Sequence, residues 1–310
     1  MRTAIPLTML ATALACSLAA APAHARARVF VASYGNDSNP CTFLSPCKTF
    51  QHAHDVVDAA GEVTAIDSGG FGPINITKAV TITSPTGVEA GIVPAASGDG
   101  IDINAAATDT VVLRGLTLQG TAQSAEGIIG SAGAIEIVDC VVRNFFDGIV
   151  LKTGTATMSV KISNTVVAAN QQGGIVLGAL QTGPAMFAAL DQVTANNNLN
   201  GINLQASGGM VEALISNSHI DSNIHGIATE GASPTATANA VLKSVTMNEN
   251  GVGIDIGDDS TVRMSQVTIS AFVPGDVGIN ITGSNNIALS DNTNHIMGAI
   301  NGTVQTWSPQ

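Results

Sequence analysis

Gly148-Ile149-Val150-Leu151, Gly174-Ile175-Val176-Leu177, Gly201-Ile202-Asn203-Leu204, Gly226-Ile227-Ala228-Thr229, Gly253-Ile254-Asp255-Ile256 and Gly278-Ile279-Asn280-Ile281 are copies of one pattern, a glycine followed by apolar-x-apolar, the fourth copy weaker than the rest. Their glycines stand 26, 27, 25, 27 and 25 residues apart. Gly72-Pro73-Ile74-Asn75-Ile76, Gly100-Ile101-Asp102-Ile103 and Gly127-Ile128-Ile129 carry the series toward the N-terminus. Between the glycines lies a second element, two apolar residues five apart: Leu113/Leu118, Ile137/Val142, Ile162/Val167, Leu190/Ala195, Ile215/Ile220, Leu242/Met247 and Met264/Ile269. Two places before each second member is a small or branched residue (Leu116, Cys140, Thr165, Val193, Ser218, Val245, Val267), preceded by a mostly polar one (Asp139, Asn164, Gln192, Asn217, Ser244, Gln266).

A repeat of this length with period-two apolar positions reads as three short strands joined by tight polar turns. Strands so short bury no face alone, but coil stacked on coil places like residues about 4.8 Å apart and builds a continuous core. The fold predicted is therefore all-β, a right-handed parallel β-helix of about nine coils with three strands per coil. Ile162, Ile215 and Leu242 fall in one inward column, and Lys161 and Lys243 point out. The glycine is expected where a Cβ would hinder the turn, and Asn144, Asn170 and Asn197, each four before its glycine, as a ladder satisfying turn amides. Cys140 falls in the small inward column and reads as a buried hydrophobe. Leucine-rich repeats need denser leucine, and helical solenoids a 3.6-residue period.

An open solenoid needs caps. Residues 48–60 read as a short amphipathic helix with Phe50, Ala53, Val56 and Val57 on its apolar face, His52 and His54 on its polar face, and Gly61 as its stop. At the far end, weak strands around Ile287 and Leu289 and the only tryptophan, Trp307, are expected to cover the last coil. Before the fold comes a leader: Arg2, the apolar run Ile5 to Leu18, and Ala23-His24-Ala25 as a cleavage site make a secretory signal peptide. Ala13-Leu14-Ala15-Cys16 offers the competing reading of lipidation at Cys16. The expected segments are 1–25 signal peptide, 26–61 N-terminal cap, 62–282 β-helix, and 283–310 last coil and C-terminal cap. Export to the periplasm or the exterior puts Cys41 and Cys47, in a loop-like stretch, in an oxidising compartment that pairs them as a disulfide.

The net charge of −12 becomes −13 once Arg2 leaves with the leader. That balance excludes nucleic acid and anionic membrane as partners, because both need a basic face. It also opposes polyanions unless calcium bridges the charges. No later stretch approaches 18 unbroken apolar residues, so no membrane span is expected.

The glycine-apolar-x-apolar repeats resemble those of the pectin lyase-like superfamily of right-handed β-helix proteins, over nearly the whole mature chain. Val31-Ala32-Ser33-Tyr34-Gly35-Asn36-Asp37, then Pro46-Cys47-Lys48-Thr49-Phe50 and the helix, resemble the N-terminal cap of secreted bacterial β-helix proteins of unassigned function. The resemblance implies fold far more than activity. A polygalacturonase-like hydrolase would carry Asn-Thr-Asp, Asp-Asp, Gly-His-Gly and Arg-Ile-Lys motifs; only Asp258-Asp259 is present.

Two groups of residues are candidates for chemistry. The residue between the two apolar ones of each glycine-led strand faces out, which sets Asn203, Ala228, Asp255 and Asn280 on consecutive coils. The same register brings Glu230 near Asp258, with Asp255 and Asp259 beside them and Arg263 a few residues on. Crowded carboxylates repel unless a cation or proton intervenes, and an all-oxygen set suits calcium. Glu230, Asp255, Asp258 and Asp259 are thus candidate calcium ligands, and the three aspartates candidate catalytic groups; the competing reading is a solvated acidic turn. The second group is His219, Asp221 and His225 on one coil, candidates for acid–base work. With one Trp and one Tyr the chain lacks the platforms of a deep saccharide cleft; Phe145 and Phe146 are its only adjacent aromatic pair. Two functions remain in view: a surface that presents itself to a polysaccharide or an envelope or extracellular protein without catalysis, or a polysaccharide lyase or glycoside hydrolase with an outer-face carboxylate site.

Overall fold

The computed structural model describes residues 27–121, 123–270 and 275–308; the expected signal peptide and Cys16 lie outside them. Among the described residues, strands β1–β32 form three parallel sheets of twelve, ten and ten strands around one helix-capped core. Each coil gives one strand to each sheet. Nine coils run from β2 (Gly61–Ala65) to β28 (Val277–Ile281), and a tenth, weaker one follows, so the right-handed parallel β-helix is as the repeat predicts. The sixth coil is β17 (Met186–Asp191), β18 (Thr194–Asn196) and β19 (Asn200–Ala206). The seventh is β20 (Val211–Ser216), β21 (His219–Asp221) and β22 (His225–Gly231), and the eighth β23 (Ala238–Lys243), β24 (Thr246–Asn248) and β25 (Val252–Ile256). We call the sheet containing β17, β20 and β23 the first sheet and that containing β19, β22 and β25 the glycine sheet.

Register follows the repeat. Ile137, Ile162, Leu190, Ile215, Leu242 and Met264 are Cα partners in turn and wholly buried, while Lys161 and Lys243 are exposed. The small column is buried throughout, Cys140 included, and burial pushes that thiol up to about 11. The polar residue before it has a structural cause: Asp139, Asn164, Gln192, Asn217, Ser244 and Gln266 all have φ between 46° and 56°, the left-handed region in which short polar side chains are enriched.

The repeated glycine serves a different need from the turn that the sequence suggests. Gly201 has no positive φ, but a Cβ there would stand 2.6 Å from the Gly226 carbonyl oxygen of the next coil. Glycine recurs because successive coils touch at this column.

The asparagine ladder is real but displaced. Asn144 and Asn197 are exposed turn residues with φ of 63° and 56°. The buried rungs are Asn170, Asn198, Asn223 and Asn250. Each Oδ1 accepts the backbone N–H of the rung before, at 2.9–3.0 Å, and Phe145 donates to Asn170. Counted back from the glycines the spacing varies with turn length. Counted forward from the inward residue of the short strand (Val167, Ala195, Ile220, Met247) it is three every time.

The N-terminal cap is helix α1 (Phe50–Val56), shorter than the expected 48–60, with Thr49 as N-cap accepting from the His52 amide. Gly61 opens β2 rather than closing the helix. Phe50, Ala53 and Val57 face the core as expected. His54 does not sit on the polar face: it is buried, its Nε2 accepts the Thr77 amide at 3.2 Å, and burial holds its pKa below the ordinary value. Cys41 and Cys47 are disulfide-bonded, and their backbones pair with Phe30 on β1 (Arg28–Val31), which closes a loop over the end of the first sheet. No helix among the described residues is long and apolar enough to cross a membrane. At the far end Trp307 is half-buried, its amide bonded to the Ser290 carbonyl.

Candidate functional site

Outward side chains of β19, β22 and β25 form a polar floor. Asn203, Ala228, Asp255 and Asn280 are Cα partners in turn, as the register predicts. Asn200 pairs with His225 on one side of this row, and Gln205 with Glu230 on the other. The spacing is that of a sheet, about 4.8 Å between neighbours across strands. Two shallow depressions open here, of about 540 and 350 Å³, and they share Glu230 and Asp258 in their walls.

The carboxylates are held individually. Asp255 Oδ1 accepts Asn280 Nδ2 at 2.8 Å. Asp258 Oδ1 accepts the amide and hydroxyl of Ser284, and Asp259 Oδ1 accepts Asn285 Nδ2 at 3.0 Å. Asp259 is nearly buried, with φ of 45°. Among the described residues no three of these carboxylates converge to within 4.8 Å.

The second candidate group is split. His219 is exposed on β21, between Thr194 and Thr246. Asp221 accepts the Asn248 amide at 2.8 Å and its Nδ2 at 2.9 Å, a turn-stabilising role. His225 leaves them and joins the first group: its Nδ1 lies 3.2 Å from Asp255 Oδ2, in the 350 Å³ depression. The contact lacks hydrogen-bond alignment and Nδ1 has no other partner, so it is an ion pair when the ring is protonated. Sequence reading kept His225 with its own coil; the signal that would have moved it is the parallel register, which sets Ala228, three residues on, beside Asp255. Arg263 also departs from expectation. It lies on the outer face of the first sheet, opposite Val241, away from the acidic residues.

One three-ligand group does converge: Cys41, Cys47 and His52 have ligand atoms within 4.8 Å of one another. The two sulfurs are bonded to each other, so neither is a thiolate, the form that binds metal.

No protein-family model matches the chain, and no curated protein sequence matches it. Among solved structures it is similar to the pectate lyase Pel9A, at 14% identity and a TM-score of 0.57, over 86% of this chain and 79% of that one. It is also similar to a rhamnogalacturonan lyase, at 14% identity and a TM-score of 0.51, over 84% of this chain and 87% of that one. At such identity the likeness is one of backbone, and it carries no side chain across.

Proposed function

We propose, from the premise that the chain has the pectin lyase-like right-handed β-helix fold, that it is exported and binds a polysaccharide along the outer face of the glycine sheet. The observation that carries this reading is the grid of Asn200, Asn203, Gln205, His225, Glu230, Asp255 and Asn280 on consecutive coils. Planar amides and carboxylates at regular spacing suit the repeated hydroxyls of a sugar chain, each hydrogen bond adding about 1 kcal/mol net. The fold neighbours, named as lyases of pectate and rhamnogalacturonan, support a polysaccharide as the ligand class, and the disulfide supports export.

A second reading, that the chain also cleaves its ligand, is favoured by one feature: a histidine facing a carboxylate, with Glu230 and Asp258 in the same depression. In this reading His225 takes a proton from the substrate and Asp255 stabilises the ring that has gained it. Glu230 or Asp258, once protonated, would supply the acid to the leaving oxygen.

The test is to titrate the mature protein with a panel of plant and bacterial polysaccharides, reading binding by calorimetry and cleavage by new reducing ends. Binding without cleavage, weakened at least tenfold by Asn203→Ala, supports the presenting surface. Cleavage abolished by His225→Ala and Asp255→Asn supports the second reading. Neither binding nor cleavage across the panel refutes both. Calcium is tested beside them: a millimolar site between Glu230 and Asp258 would raise the melting temperature slightly, by binding the native state only, and Asp258→Asn would remove that shift.

A further inference from the structure

The structure splits the one adjacent aromatic pair of the sequence. Phe145 is wholly buried, whereas Phe146 turns outward with 44% of its surface exposed. Phe146 stands at the edge of a third hollow on the glycine sheet, of about 260 Å³, nearer the N-terminal cap than the other two. Strands β13 (Asp147–Lys152) and β16 (Gly173–Ala179), of the fourth and fifth coils, form it together with β19.

The register explains the hollow. Each of these strands sends three residues outward. They align across the coils as Asp147, Gly173 and Asn200, as Val150, Val176 and Asn203, and as Lys152, Gly178 and Gln205. The middle strand thus offers only a glycine on either side of Val176. Side chains of the fourth and sixth coils stand as walls two strand spacings apart, about 10 Å, and the nearly buried Val150 and Val176 make an apolar floor. Gly173 is needed there: a Cβ would stand 2.5 Å from Val176 Cγ2 and 2.9 Å from Asp147 Oδ1.

An aromatic wall, an aliphatic floor and a polar rim suit a sugar ring. The negative face of Phe146 attracts C–H groups, and Asp147, Gln172 and Asn200 line the hollow with partners for hydroxyls. Ligand pockets begin at about 300 Å³, so this volume takes one ring. Asp147 and Lys152 give the hollow one anion and one cation, which favours no charge on that ring. A chain continuing along the sheet then passes Glu230, Asp255 and Asp258, which repel uronates. Asn200 and Asn203 line both this hollow and the depression that holds His225 and Asp255, so the two are continuous.

We infer that this hollow is a further subsite for one uncharged pyranose, and that the ligand is a neutral polysaccharide lying along the helix axis from Phe146 to Asp255. The inference rests on the glycan-binding reading of the glycine sheet and adds to it a place, a direction and a charge class. From the fourth coil to the eighth is about 19 Å, and because a pyranose unit advances a chain by about one strand spacing, about four units span it.

Calorimetry on the mature protein with cellohexaose, xylohexaose, mannohexaose and hexagalacturonate, and with the matching disaccharides, tests this. At least one neutral hexaose should bind, its disaccharide at least about tenfold more weakly, and hexagalacturonate should not bind. Phe146→Leu keeps the bulk but not the ring face and should weaken that hexaose about tenfold, the upper end of what an aromatic face contributes. Phe146→Tyr should retain the affinity, and both variants should melt with the parent. Hexaose binding indifferent to Phe146→Leu, or undiminished in the disaccharide, overturns the inference. If Asn203→Ala still weakens that binding, the glycine-sheet reading survives without it. Hexagalacturonate binding as tightly as any neutral hexaose, with or without calcium, overturns the charge class and the inference with it. Binding of none of the oligosaccharides also overturns the inference, while the broader reading then stands or falls by the polysaccharide panel.

Discussion

Truncating Asn223 to alanine tests the ladder where it is most fully bonded. Its Oδ1 accepts the Asn198 amide at 2.9 Å and Asn198 Nδ2 at 3.2 Å. Its Nδ2 donates to the Ala195 and Asp221 carbonyls and to Asn250 Oδ1, at 3.0, 3.1 and 3.0 Å. Two of these partners keep a bond after truncation: Asn198 Nδ2 still reaches the Val167 carbonyl, and Asn250 Oδ1 still accepts the Asn223 amide. The Asn198 amide keeps no partner that the ladder can supply, and Asn198 is buried. An orphaned buried amide costs about 1–3 kcal/mol and each lost neutral hydrogen bond about 1 kcal/mol net, so Asn223→Ala should cost about 4 kcal/mol. The control is Asn197→Ala, one residue before the next rung up. That side chain is exposed, and replacing it loses only the asparagine preference for positive φ, about 1 kcal/mol. Urea unfolding of both variants at matched m-values measures the difference. A loss below about 1.5 kcal/mol for Asn223→Ala, or an equal loss for Asn197→Ala, would refute the assignment of the rungs and the reasoning behind it.

Ile215→Ala removes three buried carbons between Leu190 and Leu242 and should cost about 2–5 kcal/mol by denaturant unfolding. Thiol counting on the native protein should find nothing reactive, with Cys140 labelled only after unfolding, because its thiol is buried and its pKa pushed up to about 11. Opening the Cys41–Cys47 loop by Cys47→Ser should cost about 2 kcal/mol on chain-entropy grounds, read as a lowered melting temperature. Glu126 gives a pH signature. Burial first, then the carboxylates of Asp99 and Asp147, push its pKa from 4.5 to about 7. The folded state holds that proton more tightly than the unfolded chain, so stability should rise as pH falls from about 7 to about 4.5. Glu126→Gln should flatten the melting temperature across that window and raise it at pH 8. The carboxyls held low by hydrogen bonds, Asp191 and Asp291, act in the opposite sense and only below about pH 4.

The glycine spacing made the coils, the inward column and even the outward row Asn203–Asn280 legible, because period-two strands leave no freedom once one residue is placed. What escaped was whatever depends on turn length. The ladder slipped by one because Gln171 and Gln172 lengthen one turn, so that Asn170 stands four before its glycine and Asn198 three. His54 was misplaced because helix α1 is only seven residues long, too short for a polar face to be told from a buried end. The candidate site was legible as a set of residues, not as a set of contacts. Register puts Glu230 beside the strand before Asp258, but Asp258 is held by the amide and hydroxyl of Ser284, a turn residue of the next coil that no repeat predicts.

The contact between successive glycines has one more consequence. Because each coil rests on the next through the same residue, length in this molecule is quantised. Loss of a single residue inside β20 would turn every later outward side chain of that strand inward. Loss of residues 201–225 together would join Asn200 to Gly226, set Ile227 upon Ile175, and hand Asn198 directly to Asn250. Such a chain would be one step shorter with no column interrupted. Within the strands, insertions and deletions are therefore conservative or ruinous according to whether they count in coils, while the turns absorb the differences of one or two residues that make the glycine spacing 25 to 27; along the axis, features of the strands can move apart only in steps of about 4.8 Å.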